Sequence, residues 1–244
     1  MIGSDTTIPT NDWSYKAMLD LDPRKWGLFL FKDNRDLCEP YTIETIFDLR
    51  LSEALQQFGF RKHDVRFPSH TYKNMLIIGA GVGGEILAAE SLGYNVTGIG
   101  FLNEAQYQYA LKIGCNFIRM DMHDIRFPNE SFDVIYSSHS FEHCVHPWLV
   151  CIEFWAVLRV GGRVWINLPN YRVEQIGLHH FMVLKPEFMT RLFTLSGFKV
   201  IEIVDDPSDY SFLLEKVSIE ALREIPNNIS QLISKRMKIG EDYK

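Results

Sequence analysis

From residue 74 onward the chain alternates short apolar runs with helix-like segments, and this rhythm restricts the fold more than any other feature. The apolar runs cover residues 74–78, 95–99, 116–120, 132–137 and 163–168. Between them, residues 85–92, 103–113 and 147–158 read as helices, closed by Gly93, by Gly114 and by the Val160-Gly-Gly turn. Short, continuously apolar strands alternating with helices imply a parallel sheet covered on both faces. The ending changes character. Residues 185–195 predict a helix with Pro186 in its first turn and Gly197 as its stop. Residues 198–204 and 210–217 then form two apolar runs joined by Asp205-Asp-Pro-Ser-Asp, a polar turn that predicts an antiparallel hairpin.

Residues 1–70 read differently. They hold Trp13, Tyr15, Trp26, Phe29, Phe31 and Tyr41, followed by an amphipathic helix over 42–58. In that helix Ile43, Ile46, Phe47, Leu51, Ala54, Leu55 and Phe58 share one face, Thr42 is the expected N-cap and Gly59 the expected stop. The sequence thus divides into an N-terminal helical cover or lid (1–70), the α/β domain (71–218) and a polar helical tail (219–244). The basic group Lys235, Arg236 and Lys238 reads as a solvated helix end.

A chain of 244 residues is long enough for one large α/β core with a small cover. Its net charge of −6, with no basic stripe, argues against a nucleic-acid partner. No apolar run is long enough to span a membrane and no signal peptide is evident, so no membrane partner is expected. Cys38, Cys115, Cys144 and Cys151 form no C-x-x-C pair and read as buried apolar residues in a reducing, cytoplasmic setting.

The loop Gly79-Ala80-Gly81-Val82-Gly83-Gly84 lies between the first strand and a helix. Glycines there allow a sharp turn and bring a ligand against bare backbone. The spelling satisfies both G-x-G-x-x-G and G-x-G-x-G, so alone it does not separate NAD from S-adenosylmethionine. Three further stretches do: the run from Met120-Asp-Met-His-Asp-Ile-Arg-Phe-Pro to Ser131-Phe-Asp-Val-Ile, then Ser137-Ser-His-Ser-Phe-Glu-His, then Leu158-Arg-Val-Gly-Gly-Arg-Val-Trp-Ile-Asn-Leu-Pro-Asn. In order and spacing they resemble the class I S-adenosylmethionine-dependent methyltransferases, especially the small-molecule branch with ubiquinone-biosynthesis-like members, over residues 74–217.

That resemblance implies a Rossmann-like, doubly wound α/β fold: a mostly parallel seven-stranded sheet with a terminal antiparallel hairpin. It implies S-adenosylmethionine as cofactor and a small-molecule methyl acceptor. It places Gly79, Ala80, Gly81 and Gly83 in the cofactor loop, and Gly100 and Phe101 at the ribose and adenine. Asp121 and Met122 fall at the adenine edge, and Ser137 and Ser138 at the methionine end. Two positions depart from the family pattern. Ile77 stands where an acid usually precedes the first glycine, and Gly100 stands where an acid usually binds the ribose hydroxyls. Glu104 is a possible substitute for that acid. If Gly100 is simply a lost contact, Gly100→Asp should strengthen cofactor binding roughly 10- to 150-fold.

Methyl transfer to an acceptor that must lose a proton needs a base, and histidine suits neutral pH. His180, before the helix start Lys185-Pro186-Glu187, and His143, after the fourth strand, are the catalytic candidates. Glu142, His143 and His146, with His139 nearby, have metal-ligand chemistry, but lacking cysteine pairs or H-E-x-x-H the sequence is read as holding no metal. The rival readings are a catalytically inactive methyltransferase fold and an NAD-type oxidoreductase.

Overall fold

The computed structural model describes residues 43–60, 62–102, 104–170, 180–182, 184–218, 220 and 227–243. The aromatic group Trp13–Tyr41, Thr42, Cys38 and His179 lie outside these residues. The described elements, in order, are α1 (Ile43–Phe60), α2 (His63–Arg66), β1 (Asn74–Ile78), α3 (Gly84–Ser91), β2 (Asn95–Gly100), α4 (Glu104–Lys112), β3 (Phe117–Arg119) and β4 (Phe132–Ser138). A 3₁₀ turn (Phe141–His143) follows, then α5 (Pro147–Val157), β5 (Leu158–Pro169), α6 (Pro186–Leu195), β6 (Phe198–Asp205), β7 (Asp209–Lys216) and α7 (Asn227–Gly240).

The seven strands form one sheet in the order β3-β2-β1-β4-β5-β7-β6. Pairings from β3 through β5 are parallel, and β7 runs antiparallel to both β5 and β6. This is the expected Rossmann-like sheet with its terminal hairpin, and the strand order reverses between β1 and β4. The central strand β1 shows why both faces are covered. Met75 and Ile77 point into one apolar cluster with Ala54, Phe58, Ile86 and Ala89, while Leu76 and Ile78 point into the other with Val150, Phe154 and Phe193. All four are essentially without solvent exposure. Burying each such side chain contributes about 1.5–3 kcal/mol.

Some boundaries differ from the sequence reading. Helix α1 passes through Gly59 to Phe60, so Gly59 is no stop, and Leu55 faces solvent rather than the core. Gly161 and Gly162 do not precede β5 but lie inside it, where the pairing with β4 shifts register between Phe132 and Val134. A Cβ on Gly162 would meet the Asp133 carbonyl oxygen at 2.9 Å, so the glycine serves strand approach.

The C-terminal helix also corrects an expectation. Arg236 is not at a solvated helix end: it is buried, and its Nε donates to Glu153 of α5 at 2.8 Å while Nη2 donates to the Ile125 carbonyl at 2.6 Å. Ile229 and Ile233 join the core from the same face of α7. Arg236→Met should destabilise the fold by about 2–3 kcal/mol, because Glu153 loses its charged partner and keeps only the Ile125 N–H. A urea unfolding curve with an unchanged midpoint would contradict this.

Candidate active site

The C-terminal ends of β1 to β4 lie side by side, since Ile78 pairs with Ile99 and Ser137, and Gly100 pairs with Arg119. This edge therefore gathers the loop at Gly79, the β2 end at Gly100 and Phe101, the β3 end before Asp121 and Met122, and the β4 end at Ser137 and Ser138. Open α/β sheets bind ligands at this edge, at the point where strand order reverses.

Within the loop the glycines have different tasks. The Gly79 and Ala80 N–H groups both donate to the Ile99 carbonyl, at 2.8 and 3.2 Å, which ties the turn to β2. Gly79 has φ +70°, and a Cβ there would collide with the Ser140 side chain. Gly81 has φ +49°, is exposed, and has open space where a Cβ would stand. Ala80 is buried and aims at Gly98, where added atoms would find the Ala80 Cβ at 2.9 Å. Gly83 faces the Cys115 thiol, and Gly84 lies against the α1 backbone, where a Cβ would come within 2.6 Å of the Leu51 nitrogen. Among the described residues Gly81 alone of these leaves open space over its backbone, while Gly79 lets the turn pack against Ser140. Gly83 and Gly84 let α3 pack against its neighbours.

Phe101 is exposed beside the cleft, Ser138 is buried, and Ser137 is fully buried with its Oγ lacking a hydrogen-bond partner among the described residues. Met122 packs against the core. The Asp121 carboxylate accepts from the His123 N–H at 2.8 Å and contacts His123 Nδ1 at 2.7 Å. Burial opposes ionisation of Asp121, but these hydrogen bonds outweigh it and hold its carboxyl below the usual range.

The two acid-deficient positions have structural reasons. Ile77 is a core residue of β1. Gly100 has φ +155°, and a Cβ there would sit 3.3 Å from Gly79 Cα and 3.6 Å from Gly79 N. The absence of a side chain at 100 lets β2 and the glycine loop touch. This reverses the sign expected from sequence: Gly100→Asp should weaken S-adenosylhomocysteine binding, because the aspartate strains its own backbone and pushes Gly79 aside. A titration in which the folded variant binds more tightly would restore the lost-contact reading. Glu104 does not reach in as a substitute. It accepts from Arg119 and Gln108, each at 2.8 Å, on an exposed face.

Beyond β4 and β5 the structure assembles a second group. The His143 and His180 rings lie 4.9 Å apart at 67°, although they come from separate loops. Glu142, His143 and His180 each present a ligand-type atom within 4.8 Å of the others. Glu142 is 1% exposed, and its Oε2 has no hydrogen-bond partner among the described residues. The Phe181 and Met182 N–H groups donate to the Glu142 carbonyl at 2.7 and 3.0 Å, fastening the His180 loop onto the 3₁₀ turn. His146 is not in this group and lies beside His123 instead.

His139 bridges the two halves of the site with φ +47°. Its Nδ1 faces Glu142 at 3.6 Å, and its Nε2 faces Asn167 at 3.1 Å and Asp209 at 3.4 Å. Burial opposes a charge on His139, but Glu142, Asp209 and Glu85 outweigh it and hold its pKa above the ordinary histidine value. Asn167 is itself fixed by the Ser211 hydroxyl, which donates at 2.5 Å. Sequence reasoning passed over Asn167, Asp209 and Glu85 although they lie in or beside the stretches read above, because only the fold brings Asp209 of the terminal hairpin and Asn167 of β5 against His139. The cysteines behave as expected of buried apolar groups. Burial pushes Cys115 up to about 11 and Cys144 up to about 12, so neither is a nucleophile at neutral pH.

A doubly wound sheet with an antiparallel seventh strand and a left-handed glycine loop at the switch point defines the class I methyltransferase fold. Residues 76–166 match the family model for a methyltransferase domain. Among solved structures, the chain is similar to a putative methyltransferase from Haloferax volcanii in complex with the activator Trm112. That pair has TM-score 0.57 and 15% identity, over 72% of this chain and 98% of that one. It is also similar to S-adenosylmethionine-dependent methyltransferases from Aquifex aeolicus (TM-score 0.56, 18% identity, 72% and 100% covered) and Archaeoglobus fulgidus (0.56, 15%, 80% and 100%). No curated protein matches in sequence. The domain match over residues 76–166 and the shared fold both point to a methyltransferase, and they imply S-adenosylmethionine as its cofactor. Nothing in them favours an oxidoreductase.

The residues present fit that cofactor. Gly81 leaves bare backbone at the switch-point edge, and no described residue fills the space over it. Among the described residues no helix is long and apolar enough to cross a membrane.

Proposed function

We propose that the protein methylates a small molecule, with His180 as the base that accepts the acceptor's proton and His143 beside it. The observation that carries this reading is the meeting of His143 and His180 over the buried Glu142, on the same sheet edge as the glycine loop. When bound, the cofactor supplies an electrophilic methyl group. The chain's own residues hold the acceptor in line and take up its proton. In this reading an imidazole nitrogen of His180 receives the proton, and the nearby Glu142 carboxylate stabilises the imidazolium so formed.

A place for an apolar acceptor body lies between α5, α6 and the segment that follows His180. Pro147, Trp148, Met182, Leu184, Phe188 and Leu195 line an open pocket of about 220 Å³. That volume takes part of a small molecule rather than a whole drug-sized one. Met182, which lines the pocket, follows His180 by two residues in the chain.

Calorimetric titration with S-adenosylhomocysteine and with NAD tests the cofactor half of the proposal: the first should bind and the second should not. A methyl-transfer screen over small hydroxylated or amine acceptors tests the other half. The inactive-homologue reading draws on one observation, the missing acids at Ile77 and Gly100, and predicts that neither ligand binds.

A further inference from the structure

The first turn of α3 holds a carboxylate that the reaction described above does not use. Glu85 as a residue is half-buried, yet its Oε2 has no solvent-accessible surface and no hydrogen-bond partner among the described residues. Burying a carboxylate oxygen unpaired is costly. Burial pushes the Glu85 carboxyl up from 4.5 to about 7, and the charges of Arg50 and His139 only partly offset this. The titratable groups facing it are Arg50 and Glu53 from α1, themselves paired at 3.0 Å, and His139 from the turn after β4.

Glu85 thus follows the glycine loop directly in the chain and lies within electrostatic reach of His139, which follows β4. The same loop lacks an acid at Ile77 and has no room for one at Gly100. A cofactor with an amino-acid end brings an α-ammonium that needs a counter-charge. We infer that Glu85 receives the α-ammonium of the bound cofactor and supplies the negative charge that Ile77 does not. The inference rests on the cofactor assignment above. Arg50 beside it offers a positive charge for the α-carboxylate of the same end.

The sign of the pH dependence follows. Above its own pKa, near 7, Glu85 is ionised and ready to pair; below that it must lose a proton to bind an ammonium. Affinity for an ammonium-bearing ligand should therefore rise as pH increases through about 7. In the empty protein the same shift lowers stability progressively between pH 4.5 and 7, because the folded state holds the proton more tightly than the unfolded chain.

The test compares the full chain and Glu85→Gln, titrated from pH 6 to 8.5 with S-adenosylhomocysteine and with 5′-methylthioadenosine, which lacks the amino-acid end. S-adenosylhomocysteine should bind Glu85→Gln roughly 10- to 150-fold more weakly at pH 8, without the pH dependence. Methylthioadenosine should bind both proteins equally. Glutamine removes a buried charge at constant shape, so the variant should melt roughly 5 °C higher at pH 8. Equal loss of both ligands would show a structural role and overturn the inference. So would unchanged affinity for S-adenosylhomocysteine, or a pH dependence that persists in Glu85→Gln and so belongs to His139. If the wild-type chain binds neither ligand, the cofactor assignment fails first and the inference falls with it.

Discussion

His180→Ala is expected to lower methyl-transfer turnover about 10²–10⁴-fold while leaving S-adenosylhomocysteine affinity within about twofold. The imidazole is one of two that meet over Glu142, and the proposed proton acceptor disappears with it. The loop itself should survive. Its attachment to the 3₁₀ turn runs through the Phe181 and Met182 N–H groups to the Glu142 carbonyl, and those bonds need no side chain. The measurement is steady-state turnover with an acceptor found in the screen, beside a titration with S-adenosylhomocysteine. Wild-type turnover in His180→Ala would reduce His180 to a loop residue and shift the proton to His143.

Gly81→Val should cost the protein more than 100-fold in cofactor affinity, an effect of roughly 3 kcal/mol or more. Gly81 has φ +49° and nothing within 4 Å of the missing Cβ, so the valine methyls would fill the open space over the loop. A β-branched residue at positive φ also strains the backbone by about 1–3 kcal/mol, which lowers stability whatever the loop binds. Gly114→Val separates the two effects. Gly114 has φ +86° and equally open surroundings, but it closes α4 away from the cleft. Both variants should melt at lower temperature, and only Gly81→Val should lose S-adenosylhomocysteine. Tight binding by a folded Gly81→Val would remove the cofactor from this loop.

The fold was largely legible in the sequence because its signals are local. Five apolar runs, the glycines after helices and the polar Asp205–Asp209 turn each report on a few consecutive residues, and together they imply a parallel sheet ended by an antiparallel hairpin, without its strand order. The clearest errors arose where a tertiary neighbour decides a residue's environment. Arg236 reads as a solvated lysine-like end because the sequence does not show Glu153 waiting on α5. Gly100 reads as a deleted carboxylate, whereas the structure makes it the point where β2 passes the glycine loop.

By itself, then, the sequence determined the alternating sheet, the glycine loop at its edge and the histidines after β4 and before α6. Periodicity and turn chemistry act within a few residues, so these features needed no knowledge of the rest of the chain. The tertiary structure alone decided how the loop's glycines divide between cleft and packing, since that depends on Ser140, Cys115 and α1 standing opposite them. It alone brought His180 against His143, and put Asn167 and Asp209 beside His139. It also left one oxygen of Glu85 buried and without a hydrogen-bond partner among the described residues, because burial and partnership depend on what the fold places nearby, which no short stretch of sequence encodes.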